Sequence, residues 1–324
     1  MRVLLRSLMV IAAFCLCLRA HALSYDAVYV FGDSLSDNGN IPAASPYRPP
    51  APYFDGRFSN GLVAVEYLTT QLGLPGSALH DYAVGGATTG LYNADIPTPD
   101  PLHASGVLSQ VTSFQAQVGS ADPSALYVLW AGANDFLGIT NPLQLPAATA
   151  NAVNNIVDEV ALLHGMGAQH ILVPNMPDLG LLPATQSVHL QATFASTLFN
   201  STLAAELPDY VTQFDTFGLF HQVLADPAAF GFSDVTNPCI LVAACLNGSA
   251  DEQAKFLFWD GVHPTTSADR VLANRFASSI GPVPEPGTAG LLALGLLSLW
   301  ATRAARGRIR SGSLQRKVRL NGGP

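Results

Sequence analysis

The sequence predicts an α/β fold in which a mostly parallel sheet is covered by helices on both faces. Near-continuous apolar runs recur along the chain, and each ends in a polar or glycine-containing turn. Helix-like stretches separate them, so strand and helix alternate, which is the pattern of a parallel sheet built from crossover units. About 260 residues lie between two unusual ends, enough for one large domain with a substantial core.

The first run, YDAVYVF at Tyr25–Phe31, reads as a strand buried on both faces, because Val28 and Val30 stand among aromatic neighbours. Similar runs follow at SALYVLWAG (124–132) and AQHILVPN (168–175). Helix-like stretches occupy 59–73, with Asn60 as a candidate cap; 149–167, stopped by Gly165 and Gly167; and 189–208, ended by Pro208. The Pro-rich segment SPYRPPAPYFDGRF reads as a loop, and 225–249 as a longer excursion. Folds of this class bind ligands beyond the carboxyl ends of their strands, which is where the polar turns fall.

Both ends stand apart from this pattern. Residues 1–22 read as a signal peptide, with Arg2 and Arg6 ahead of an apolar run and a small-residue site, AHA, ending at Ala22. One large domain would then cover 23–280. In the tail, 281–324, Pro284-Glu285-Pro286 precedes an apolar stretch at about 288–301, and Arg303, Arg306, Arg308 and Arg310 follow. That order suggests a transmembrane anchor with a basic flank, the alternative being a terminal core helix.

The full chain has 15 basic and 23 acidic residues. Only five of the basic residues lie within 23–287, against all 23 acidic ones, so that region has a net charge of −18. Five scattered cations provide no footprint for phosphates, which argues against a nucleic-acid partner. Cys15 and Cys17 belong to the leader. Cys239 and Cys245, in NPCILVAACLNG, are spaced to close a small disulfide loop in an oxidising compartment, the alternative being two free thiols. No further Cys or His accompanies them as zinc ligands would.

The chemistry centres on Ser34. It follows the first strand directly, with Gly32 permitting a sharp turn, although Gly-Asp-Ser alone is ordinary turn composition. A serine hydroxyl needs a base and a group to orient that base. Near the far end, FLFWDGVHP places Asp260 three positions before His263. A carboxylate at that spacing can fold back to hold Nδ1–H, leaving Nε2 free to take the serine proton. Between them, DYAVGGATTG contributes Gly85-Gly86, whose backbone can approach a substrate closely, and LWAGANDF contributes the Asn134 amide as a donor to developing negative charge.

Four ordered blocks, FGDSLSDNGN, DYAVGGAT, GANDF and WDGVHPT, together make the chain resemble an SGNH, or GDSL-type, lipase/esterase from about Tyr25 to Ser279. The stretch GRFSNGLVAVEYL is similar to the lipase, haemolysin and autotransporter-esterase branch. The resemblance implies the three-layer α/β/α SGNH hydrolase fold, which is flavodoxin-like. It also implies a catalytic triad of Ser34, Asp260 and His263, an oxyanion hole of the Ser34 and Gly86 N–H groups with the Asn134 side chain, and no cofactor or metal. Asp81 stands where that block often begins with Asn, a departure expected to weaken hydrogen bonding in the loop.

By the same comparison the substrate is an acyl ester, whether small molecule, lipid or acylated glycan. Carbohydrate O-acetylesterase, phospholipase and acyltransferase chemistry are alternatives, and a non-catalytic envelope binding protein is the alternative of a different class. The tail resembles a PEP-CTERM sorting signal, which implies envelope sorting machinery as a partner and a bacterial envelope location, anchored or secreted after processing.

Among secondary candidates, Asp33 and Asp37 flank the serine turn, Arg57 reads as a loop anchor and Asp135 as a support for the Asn134 turn. His164, His170, His189 and His221 lack metal-ligand spacing and read as structural. Phe54, Phe58, Phe136, Leu137 and Phe232 are candidate contacts for an acyl chain. The sequon at Asn247 is formal only.

Overall fold

The structure, a computed structural model, describes residues 25–281. Five strands, β1 (Val28–Gly32), β2 (Leu79–Asp81), β3 (Leu126–Trp130), β4 (His170–Pro174) and β5 (Val211–Phe214), form one sheet in the order β2-β1-β3-β4-β5, and every neighbouring pair is parallel. The helices are α1 (Ala64–Gln71), α2 (Val107–Val118), α3 (Leu145–Gly165), α4 (His189–Glu206), α5 (Thr216–Ala225), α6 (Ala243–Leu246), α7 (Ala250–Gln253) and α8 (Thr266–Ser279). This is the expected α/β fold with a mostly parallel central sheet between helical layers.

Successive strand residues point to opposite faces, so the apolar runs divide between two cores. Val28, Val30, Leu126 and Val128 pack against Val65 and Leu68 of α1 and Ala273 and Phe276 of α8. Tyr127, Leu129, Ile171 and Val173 pack against Phe114 of α2, Ile156 and Val160 of α3, and Phe199 and Leu203 of α4. Every residue of β3, the central strand, is buried. That two-sided burial is why its sequence is continuously apolar and does not alternate.

Several boundaries differ from expectation. Strands β2 and β5 are short and partly polar, LHD and VTQF, and lie outside the apolar runs expected to form strands. They pair because β1 and β4 offer them parallel edges. Asn60 does not cap α1, whose entry is closed by the Val63 N–H donating to Glu66 Oε2 at 3.0 Å. Its Oδ1 instead accepts the Thr266 N–H at 2.8 Å, at the start of α8. Helix α3 begins at Leu145, ahead of the expected Thr149, because Pro146 is tolerated in a first turn, where no intrahelical N–H bond is needed.

Cys239 and Cys245 are joined by a disulfide, with their Cα atoms 5.3 Å apart. With Trp259 they form a small apolar cluster apart from both sheet cores. The lobe docks on the strand-like segment leading to Asp260 through Cys239 N–H to Phe258 O and Ile240 N–H to Trp259 O, each 3.0 Å.

The expected membrane anchor and the envelope location drawn from it are corrected. Among the described residues no helix is long and apolar enough to cross a membrane. The stretch 288–301, on which the anchor was placed, lies outside the described residues, and its length falls short of the roughly 20 residues that a spanning helix requires. The leader 1–22 also lies outside the described residues.

Candidate active site

In the order β2-β1-β3-β4-β5 the chain reverses its winding direction between β1 and β3. Loops leaving the carboxyl ends of those two strands diverge and open a crevice. Ser34 leaves the end of β1, and Asn134 sits in the short turn Ala133–Asp135 after β3. Gly85-Gly86 follows β2, and Asp260 and His263 precede α8. A cleft of about 470 Å³ over these turns is lined by Asp33, Ser34, Phe58, Gly86, Asn134 and His263, among others.

The structure brings the three proposed triad residues together across 229 positions of sequence, with His263 Nε2 at 2.8 Å from Ser34 Oγ. His263 Nδ1 lies 2.7 Å from Asp260 Oδ2. The other carboxylate oxygen accepts the Val262 and His263 N–H groups at 2.8 and 2.7 Å, so the turn itself aims the carboxylate. Burial alone would push this carboxyl up. The His263 hydrogen bond and charge and the two N–H donors outweigh it and bring the pKa down to about 2. Near neutral pH Asp260 is therefore an anion that favours the Nδ1–H tautomer. Phe58 packs over the imidazole, with ring centroids 5.1 Å apart.

The other side of the cleft is a set of unspent donors. Among the described residues, the Ser34 and Gly86 N–H groups find no acceptor, while Asn134 Nδ2 donates one hydrogen to Ala87 O at 3.0 Å and keeps the other. Gly86 has φ +80°, and a Cβ there would sit 2.5 Å from Asn93 Oδ1, so only glycine fits this turn.

Buried and half-buried carboxylates hold these turns in place. Asp37 accepts the Gly39 and Asn40 N–H groups with Oδ1, at 2.8 and 2.7 Å, and the Gly85 N–H with Oδ2 at 2.8 Å, tying the serine loop to the glycine turn. Asp135 accepts both the N–H and the hydroxyl of Thr89, at 3.0 and 2.8 Å. Asp81 does not weaken its loop, because it accepts the Ala83 N–H at 2.9 Å and the Asn38 N–H at 3.1 Å. Asp33, 2 % exposed, has its carboxyl pushed up to about 7 by burial, although the Leu35 N–H and the nearby His263 pull it down.

The secondary candidates separate clearly. Arg57 pairs with Glu66 through two contacts of 2.8 and 2.7 Å and anchors its loop. His164 stacks on Tyr210, and His221 meets Asp178 at 3.0 Å, both outside the cleft lining. Phe58 and Leu137 line the cleft, Phe136 is buried against Phe199, Phe54 is exposed, and Phe232 lines a separate cavity beneath the site. Asn247 is exposed and lies outside the cleft lining.

Two residues escaped the sequence reading. Tyr53, in the Pro-rich loop, donates its hydroxyl to Asp260 Oδ2 at 2.8 Å, the oxygen that also faces His263. Burial, then the Asp260 charge, hold that phenol protonated. The Gln110 side chain accepts the Gly32 N–H and donates to the Gly32 carbonyl, both at 2.9 Å, clamping the strand end ahead of Ser34. Neither residue belongs to a motif or a periodic pattern that would single it out.

The sequence profile of GDSL-like lipases and acylhydrolases matches residues 28–276, most of the chain. The chain belongs to that family. Among its relatives, the phosphatidylcholine-sterol acyltransferase of Aeromonas hydrophila is 30% identical over 79% of this chain and 90% of its own length. The thermolabile hemolysin of Vibrio parahaemolyticus is 30% identical over 80% of this chain, which spans 64% of that protein. A crystal structure of a lipase from a goat rumen metagenome aligns over 80% of this chain and 99% of its own, with 14% identity and a TM-score of 0.44, a likeness too loose to bear on the site. Membership in the GDSL-like family implies serine-dependent ester chemistry on a generic ester or lipid substrate. The family match stops short of the tail, and nothing in these likenesses supports a PEP-CTERM sorting signal or a sorting partner.

Proposed function

We propose that this chain is a carboxylic ester hydrolase working through an acyl-serine intermediate at Ser34, with the catalytic domain at 23–280. The observation that carries this reading is the continuous relay from Ser34 Oγ to His263 Nε2 at 2.8 Å and from His263 Nδ1 to Asp260 Oδ2 at 2.7 Å. In the first half-reaction His263 takes the hydroxyl proton as Ser34 Oγ attacks the ester carbonyl, and Asp260 stabilises the imidazolium. The N–H groups of Ser34 and Gly86 and the free Asn134 N–H receive the carbonyl oxygen as it becomes negative. Each such donor contributes about 3 kcal/mol to the rate when it is already in position. His263 then protonates the departing alcohol, water attacks the acyl-serine, and the same groups return Ser34 to its hydroxyl form.

The test is covalent labelling of the full chain with a fluorophosphonate, alongside hydrolysis of p-nitrophenyl acetate. Mass spectrometry should find the label on Ser34, and Ser34→Ala should lose both label and turnover. A folded wild-type chain that neither labels nor turns over would overturn the reading in favour of a binding protein.

A second reading, transfer of the acyl group to an alcohol in place of water, is favoured by the likeness to the sterol acyltransferase over 90% of that protein's length. Formation of cholesteryl ester from phosphatidylcholine and cholesterol would support it. Release of free fatty acid alone would leave hydrolysis.

A further inference from the structure

Beneath the Ser34–His263 pair lies a second, almost wholly apolar cavity of about 80 Å³, walled by residues that include Trp130, Phe232, Phe258 and Leu272. Four residues, Leu35, Pro177, Leu182 and Val262, line both this cavity and the catalytic cleft. Leu35 is bonded to the nucleophile's residue and Val262 to that of the general base. A chain leaving the carbonyl of an acyl-serine therefore needs to pass only this shared wall to enter it.

Native cores pack with few voids larger than a water, and those that exist are apolar and dry. This one differs in position, because it adjoins the reacting serine and not a remote part of the core. Thr216, 4 % exposed and part of the lining, has a buried Oγ1 without a hydrogen-bond partner among the described residues, so a methyl group could replace it without breaking a bond.

We propose that this cavity receives the acyl chain of the substrate and that its volume selects short chains, with butyryl preferred. The inference rests on the ester-hydrolase reading and deepens it. A cavity of about 150 Å³ lined by Leu, Ile and Phe accommodates the six carbons of benzene. On that scale the present volume takes about three carbons beyond the carbonyl. The alcohol part of the substrate then occupies the larger cleft over Gly86 and Asn134.

The experiment compares kcat/KM of the full chain on p-nitrophenyl acetate, butyrate, hexanoate and laurate. Each methylene that enters the cavity should raise kcat/KM about fourfold, from the transfer free energy of a buried CH₂, so the butyrate-to-acetate ratio should exceed tenfold and laurate should fall below butyrate. Ala268→Leu, on α8 in the cavity wall, should reduce that ratio at least fivefold while acetate hydrolysis persists. Phe232→Ala should move the optimum to longer chains. Thr216→Val, which replaces the unpaired hydroxyl with a methyl group, should raise the ratio and serves if either of the other variants fails to fold. Acetate turnover and Ser34 labelling report on the ester-hydrolase reading independently. If acetate is hydrolysed but the ratio stays near one, or Thr216→Val lowers it, the cavity proposal fails alone. If acetate is not hydrolysed and Ser34 is not labelled, both fail.

Discussion

On the nucleophile side of the cleft, the turns after β1, β2 and β3 are joined by carboxyl groups that burial drives toward neutrality. On the base side, Asp260 is a carboxyl driven the other way, to a pKa of about 2. Asp33, pushed up to about 7, with Asp37, Asp81 and Asp135, also raised by burial, hold backbone N–H groups of those loops. Asp260 faces an imidazole and three further donors, the Tyr53 hydroxyl and the Val262 and His263 N–H groups. The contrast shows that one residue type serves two purposes. Where the carboxyl is a staple, geometry matters more than charge; in the proposed mechanism Asp260 orients the base, and there the charge is part of the chemistry.

The largest expected effect tests the charged half. Asp260→Asn keeps an oxygen for the Val262 and His263 N–H groups but turns an NH₂ toward His263 Nδ1, which forces the wrong tautomer. A fall in kcat of about 10⁴ is expected, on the scale of the same change in a serine protease, with little change in melting temperature. A loss below tenfold would show that the anion is not needed.

The second prediction tests the neutral half through pH. Asp33 has a folded pKa of about 7, above its unfolded value, so between about pH 4 and 7 the native state holds a proton that the unfolded chain has lost. Stability should therefore fall as pH rises through that window, by roughly 4 kcal/mol for this group alone, and level off above it. Asp37, Asp81, Asp135, Glu159 and Asp269, all raised, act in the same direction. The Asp260 contribution has the opposite sign and is lost only as pH falls toward 2. Thermal melts from pH 5 to 8 should show the highest midpoint at the acid end, and Asp33→Asn should flatten the slope. A midpoint that rises with pH would contradict the burial of these carboxyls.

Asn134→Ala sharpens the comparison from the oxyanion side. Loss of one donor should lower kcat about 10²-fold with KM nearly unchanged, whereas a rise in KM alone would mean that Asn134 only binds the ground state. The smallest effect belongs to Tyr53→Phe. Its lost hydrogen bond to Asp260 should lower kcat by roughly three- to tenfold and add nothing further in the Asp260→Asn background. Additive losses in the double variant would assign Tyr53 a purely structural part.

Ser34, Gly86, Asn134, Asp260 and His263 were legible because each belongs to a short block whose spacing has a local meaning, such as the i to i+3 fold-back of Asp260 on His263. The crossover pattern likewise announced a parallel sheet, because a strand buried on both faces has to be apolar throughout. Strands β2 and β5 were not legible, since their pairing depends on an edge supplied elsewhere. Asn60 was assigned to the helix beside it in sequence, yet it caps one 206 positions away. Tyr53 reaches Asp260 across 207 positions, and the apolar cavity is a shape left between β3, α5 and α8. By itself, then, the sequence determined which short blocks carry the proposed site residues and that the sheet between them is parallel, because backbone turns and hydrophobic periodicity are local. Tertiary structure alone decided which distant side chains brace the acid and how much room lies beneath the serine, because both arise from packing between segments that no local pattern relates.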